Sequence, residues 1–292
     1  MGEITWMVFT DATADINVGD AAKYEIGVVP MAIRINDREY THYTDWRELP
    51  YDEARRLIGT VNPAQMGTTQ ANPDTFKAIW SPYLDEGKDI FHLSFSSGMS
   101  GTYGSAVVAA RMLEEEYPGQ TIRVLDSKTT CAAGLGRVVR KVADMRLNGS
   151  SLSEAFSRAL DELDRYGIWF TVTDIDHLVR SGRCSNVAGF AIKALGIVPI
   201  LYVDPEDGVL KPRKKARARK AMDAMFEEVQ APNIVGVREI HIIHFAGEDS
   251  AEYLRTLVCN RWEDAKVEIV HINPIVAKHV GLGTVGVGFP KR

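Results

Sequence analysis

The chain has 292 residues, 45% hydrophobic and 25% charged, a composition that supports one large or two medium cores and excludes a disordered protein. A formal net charge of -5 excludes a surface shaped throughout for nucleic acid, because phosphate binding needs a basic footprint. The cysteines, Cys131, Cys184 and Cys259, are odd in number and widely separated. They suggest neither a disulfide framework nor a zinc site, and a reducing cytoplasm is expected.

The first segment, "MGEITWMVFT", lacks a basic n-region, and the longest apolar stretch, "AGFAIKALGIVPILYV", carries Lys193 and Pro199. Neither a signal peptide nor a membrane span is expected. A strand over 4–9 runs into "TDATAD", which brings Asp11 and Asp15. Two acids invite a Mg²⁺ or phosphotransferase reading. Their spacing is not that of a D-x-D pair, and an acid at a strand end commonly holds a loop.

The stretch "MGTTQANPDTF" (66–76) places Thr68 and Thr69 ahead of Asn72, which can cap a helix beginning at Pro73. A strand over 89–95 enters "SFSSGMSGTYGSA", with Ser96, Ser97 and Ser100. A crossover helix follows, patterned by Ala106, Ala109, Ala110 and Leu113 and ended by "YPG". A third strand is expected over 122–126. Strands alternating with helices imply a mostly parallel sheet, whose strand ends usually bind ligands. Free N–H groups at a helix start favour an anion there, although Ser and Gly also serve as ordinary caps and turns.

Ser151 and Glu154 form a capping box that predicts a helix over about 152 to 165, and the domain boundary is placed beside it: 1–165 and 166–292. The second half is also read as α/β, with strands at 167–172, 196–203, 239–245 and 267–272 and helices near 216–229 and 250–262. Within it, "HLVRSGRCSN" offers Arg183 as a carboxylate or phosphate partner, or as part of a solvated turn. "KPRKKARARK" (211–220), without aromatic residues, reads as a solvated helix start before a nucleic-acid site. "GLGTVGVG" contains a formal G-x-G-x-x-G but no helix follows it, so its glycines serve close passage of backbone. His279, just before it, reads as a polar lid or a structural histidine. No nucleophile, base and orienter come together, and neither a Walker A sequence nor a metal-binding cluster is present.

Seven blocks in order, "TDATAD", "GTTQANPDTF", "SFSSGMSGTYGSA", "VLDSKTTCAAGLG", "FTVTDIDHLVRSGR", "GIVPIL" and "NPIVAKHVGLGTVGVGF", resemble the DegV family of bacterial fatty-acid-binding proteins. The resemblance implies a two-domain α/β fold: an N-terminal, mostly parallel-sheet α/β/α domain and a C-terminal α/β domain. A tunnel near the domain interface would bury one long-chain fatty acid. It further implies a carboxylate held by Thr68 and Ser97, with Thr69 and Ser96 beside them, and Arg183 and His279 near the carboxylate for presentation or docking. No catalytic residue, metal or cofactor is implied. The implied partner is a separate fatty-acid kinase that phosphorylates the presented acid for phospholipid synthesis, with peripheral membrane contact open for ligand exchange and no nucleic acid. Thr69, Ala71, Cys184 and Asn273 depart from the residues usual in the family, where Ser, Pro, an apolar branched residue and Gly stand. The alternatives are a phosphotransferase or hydrolase using Asp11, Asp15 and the Ser/Gly loop, and a regulator binding nucleic acid through 211–220.

Overall fold

A computed structural model describes residues 5–184, 196–230 and 239–290. The first part of the long apolar stretch, at 188–195, lies outside the described residues. The chain opens with β1 (Trp6–Asp11), α1 (Val18–Lys23), β2 (Ile26–Val29), β3 (Met31–Ile35), β4 (Arg38–His42), α2 (Tyr51–Thr60) and β5 (Met66–Thr69). It continues through α3 (Pro73–Asp85), β6 (Asp89–Ser94), α4 (Thr102–Glu116), β7 (Ile122–Asp126), α5 (Ala133–Leu147) and α6 (Leu152–Asp164).

Strands β2-β1-β6-β7 form a four-stranded sheet in which every neighbouring pair is parallel. The alternation of β1 decides its two faces. Met7 and Phe9 pack with Phe76 and Trp80 of α3 and Ala106 and Leu113 of α4. Trp6 and Val8 pack with Leu135 and Val138 of α5 and Ala155 of α6. The result is the expected three-layer α/β/α unit. Asn72 caps α3 through Thr75 N at 2.9 Å, and the Ser151–Glu154 capping box opens α6.

A second, antiparallel sheet of order β4-β3-β5 covers a region for which the sequence suggested no elements. Its apolar face, Met31, Ile33, Ile35 and Met66, joins Ala54 and Ile58 of α2 in a further core.

The remainder comprises β8 (Tyr166–Thr171), α7 (Ile175–Ser181), β9 (Ile197–Val203), β10 (Leu210–Arg217), α8 (Ala221–Gln230) and β11 (Glu239–Phe245). It ends with α9 (Glu248–Arg261), β12 (Lys266–His271), α10 (Pro274–Val280) and β13 (Thr284–Pro290). The six strands order as β10-β9-β8-β13-β11-β12, antiparallel except for the parallel β11–β12 pair. Helices α8 and α9 cover one face through Met225, Phe226, Leu254 and Val258. The other face turns Phe170, Leu201, Ile243 and Phe245 toward the core of the small sheet.

One expectation changes here and another holds. The basic run is an edge strand, β10, rather than a helix start; α8 begins only at Ala221. A strand with a neighbour on one side tolerates charge at most positions, and edge lysines discourage further pairing. The C-terminal glycine run is β13, where a Cβ on Gly286 would stand 2.8 Å from Phe170 Cβ, so the close-passage reading holds.

His92 of β6 is fully buried between Phe76 and Trp80, with both ring nitrogens lacking a hydrogen-bond partner. Burial pushes its pKa down to about 3. The unfolded chain therefore takes up a proton near pH 6.5 that the fold refuses, and stability is lost as pH falls from there toward about 3, at about 1.4 kcal/mol per pH unit for this group. His92→Phe is expected to reduce the acid slope of the unfolding free energy by that amount while remaining folded. Urea melts from pH 7 to pH 4.5 measure it, and an unchanged slope would refute this role for His92.

Candidate functional site

The site begins with a buried carboxylate at the end of β1. Asp11 Oδ1 accepts hydrogen bonds from the amide (3.1 Å) and the hydroxyl of Thr13, and Oδ2 accepts from Phe95 N at 2.7 Å and Ser94 Oγ at 3.4 Å. Burial raises its pKa against the pull of these donors. Asp11 thus ties the turn after β1 to the Ser/Gly loop after β6, the loop-holding role read from the sequence.

That loop sorts its serines in space. Ser96 is buried and donates its hydroxyl to the Gly208 carbonyl at 2.7 Å. Gly98 sits so close to the β9–β10 turn that a Cβ there would be 2.2 Å from the Asp207 carbonyl. Ser97 is exposed and donates its amide (3.1 Å) and hydroxyl (2.5 Å) to Asp126. Ser100, the last serine before α4, hydrogen-bonds through Oγ to the Thr102 hydroxyl (2.9 Å) and accepts from Thr102 N (3.2 Å).

Ser100 is the serine that lines a cavity of about 110 Å³ between the Ser/Gly loop, the small sheet and the inner face of the six-stranded sheet. Its walls are mostly apolar: Met31, Phe95, Met99, Phe170, Leu210, Ile243, Ile272, Ile275 and Val280. Its polar lining includes Thr13, Thr68, Gln70, Ser100, Arg183, His279 and Thr284, and no Asp or Glu. Thr68 Oγ1 and His279 Nε2 are hydrogen-bonded at 3.0 Å across 211 residues of sequence. Thr68 and Thr69 are neighbours on β5 and point to opposite faces: Thr69 is exposed and donates to Glu39 at 3.2 Å.

Three expected ligand residues therefore stand outside the cavity: Ser97, Ser96 and Thr69. Thr68, Arg183 and His279 line it, joined by Ser100, which sequence reading passed over. Strand alternation separates the two threonines, whereas no local pattern distinguishes the three serines.

The surroundings of His279 are electropositive. Arg183 donates Nε to the Met99 carbonyl at 3.3 Å and an Nη to Ser181 O, which holds its guanidinium against the Ser/Gly loop. The Lys278 side chain is buried, and its pKa is lowered by burial and then by the nearby Arg183. Burial, followed by Lys278, Arg183 and His177, drives His279 down to about 3, so its imidazole is neutral at physiological pH. Both His279 and Lys278 are carried by α10. The start of that helix is fixed by Asp15, whose Oδ1 accepts from Asn273 N (3.0 Å) and Nδ2 (2.6 Å), while Asn273 Oδ1 caps Val276 N at 3.0 Å. Asp15 and Asp11 are both engaged in holding backbone. Among the described residues no group of three or more His, Cys, Asp and Glu is placed to hold a metal ion.

The architecture is that of the DegV α/β fold. A fatty-acid-binding DegV family protein of Streptococcus agalactiae superposes with a TM-score of 0.86 at 24% identity, over 99% of this chain and 100% of the other. The Streptococcus pneumoniae fatty acid kinase B3 protein, solved loaded with linoleic acid, superposes at 0.84 with 20% identity, over 99% and 100%. A DegV domain-containing protein of Clostridium perfringens, CPE0026, is 31% identical over 287 residues, 97% of each chain. The family model described as "Uncharacterised protein, DegV family" matches residues 5–292, and the chain belongs to that family.

Removing the buried carboxylate should unfasten both loops. Asp11→Ala leaves the Thr13 and Phe95 amides buried without an acceptor, at about 1–3 kcal/mol each. The expected loss is at least about 2 kcal/mol in urea unfolding. A loss below about 0.5 kcal/mol, the scale of ordinary surface substitutions, would show that Asp11 does not organise the loops.

Proposed function

We propose that the protein is a carrier of one long-chain fatty acid, whose chain lies in the apolar cavity with its carboxylate at Thr68, Ser100, His279 and Arg183. The carrying observation is the cavity's lining: mostly apolar walls, with hydroxyls, an imidazole and an arginine among them and no acidic side chain. Hydroxyls and a neutral imidazole supply hydrogen bonds to a carboxylate, and Arg183 with Lys278 supplies the field that an anion needs. Burying the tail contributes about 0.8 kcal/mol per CH₂, which offsets the cost of ordering the chain. The fatty-acid-binding relatives of the same fold support this reading.

The acid is presented to a separate fatty-acid kinase, and the division near residue 165 separates an N-terminal domain bearing the Thr and Ser/Gly loops from a C-terminal domain bearing Arg183 and His279. The likeness to the kinase B3 protein supports the presenting role. A phosphotransferase centred on Asp11 and Asp15 gains no support, because Asp11 is buried under four intramolecular hydrogen bonds and Asp15 holds the start of α10.

Mass spectrometry under non-denaturing conditions should show an added mass matching a long-chain acid, either as purified or after incubation with a fatty-acid panel. Only the bare mass after incubation would overturn the carrier reading. In a binding titration, Ser100→Ala is expected to weaken affinity by about 1.5–3 kcal/mol, roughly 10- to 150-fold, as for a hydrogen bond to a charged group. Ser97→Ala, on the exposed side of the loop, should bind within about twofold of wild type, the scale of a neutral surface change. The opposite ranking would place the carboxylate at Ser97.

A further inference from the structure

A second cavity, of about 230 Å³, is lined by Asp15 and Asn273, the pair that fixes the start of α10. The turn after β1, the segment after β4 and strand β12 enclose it. Two of its lining residues each bring a buried polar atom without a hydrogen-bond partner: Asp15 Oδ2 and His42 Nδ1. His42 is only 6% exposed. Unsatisfied buried polar atoms are uncommon in native proteins, and two on one cavity point to something that completes them.

The chemistry of the lining selects the occupant. Asp15 and Glu268 are its charged groups, and it holds neither Lys nor Arg. Glu268 already has a cationic partner in Arg140 at 3.0 Å, with the His241 imidazole at 3.3 Å, whereas the hydrogen bonds to Asp15 come from the uncharged Asn273. An anion is disfavoured, and the missing element beside Asp15 is a positive charge with N–H donors. Trp46 lines the same cavity, with its ring centroid 4.8 Å from that of His42. Its backbone sits at φ +55°, a left-handed conformation that a bulky residue rarely adopts and that is frequent at ligand sites. An indole face accepts a cation, and Ile16, Val28 and Ile269 add an apolar wall for a short carbon body.

We propose that this cavity is a binding site for a small organic cation, an alkylammonium or guanidinium. Its N–H groups donate to Asp15 Oδ2 and His42 Nδ1, and its body packs on Trp46. The cavity's lining differs from that of the fatty-acid site, which carries Arg183 in place of the acids.

The probe is 1-butylammonium, titrated by calorimetry into full-length protein preloaded with palmitate, with 1-butanol as the neutral analogue. Saturable binding of butylammonium at least about tenfold tighter than butanol, a difference of one decade in Kd, is expected. Asp15→Asn should weaken it at least about tenfold, and Trp46→Leu, which keeps apolar bulk without the indole face and lies outside the first cavity's lining, several-fold with palmitate still bound. If Asp15→Asn does not fold, Trp46→Leu decides. Absence of saturation by about 50 mM, equal binding of butanol, or full affinity in the folded variants would each overturn the site.

Discussion

Everything at the first cavity depends on how Asp11 is satisfied. A carboxylate with no exposed surface is tolerated only when its lone pairs are used, and here both oxygens accept from groups that belong to two loops. Parallel strands β1 and β6 bring the loop starts side by side, and the acid turns that adjacency into a fixed geometry. Thr13 and Phe95, the residues it grips, both line the cavity. The polar interaction therefore shapes an apolar space, because it sets where the wall stands.

The opposite wall comes from distant parts of the chain. The inner face of the six-stranded sheet supplies Phe170 and Ile243, while α10 supplies Ile275, Val276, His279 and Val280. A helix of seven residues has little stability of its own, so its placement rests on its ends and its packing. Asn273 closes the N-terminal end in two directions at once, capping the helix and donating to Asp15. At the other end, Gly281 takes φ +76° beside His177, where a Cβ would lie 2.9 Å from the His177 ring. His279 is delivered to Thr68 by a helix pinned at both termini.

Much of this was legible in the sequence, and the limits have physical causes. Strands β1, β6 and β7 and helices α3, α4 and α6 follow from apolar runs, periodicity and caps, all of which are local signals. The small sheet did carry a signal, since Met31, Ile33 and Ile35 alternate with Arg34 between them, but its strands are short and half-exposed. In β10, basic residues at five of eight positions, three of them in a row, masked the pleat, and only pairing with β9 shows the strand. The site was legible to the level of the loop and not of the atom. Which of Ser96, Ser97 and Ser100 faces the cavity depends on Gly208 and Asp126, partners 112 and 29 residues away. Thr68 could be told from Thr69 once β5 is known to be a strand, because one residue of register reverses the face.

The two cavities divide charge between the ends of one helix. The acids Asp15 and Glu268 line the space near the start of α10, and Arg183, with Lys278 close by, marks the space near its last turn. This arrangement follows the helix dipole, which favours negative charge at the N-terminus and positive charge at the C-terminus. It also keeps Arg183 and Lys278 away from the buried Asp15. Asn273 stands where glycine is usual in the family, and it gives Asp15 two neutral donors where a glycine could offer only its amide. An uncharged partner leaves Asp15 without a counterion inside the fold, and burial accordingly raises its pKa to about 7. The carboxyl that fixes the wall of the first cavity is therefore also the group on the second cavity most in need of a cation.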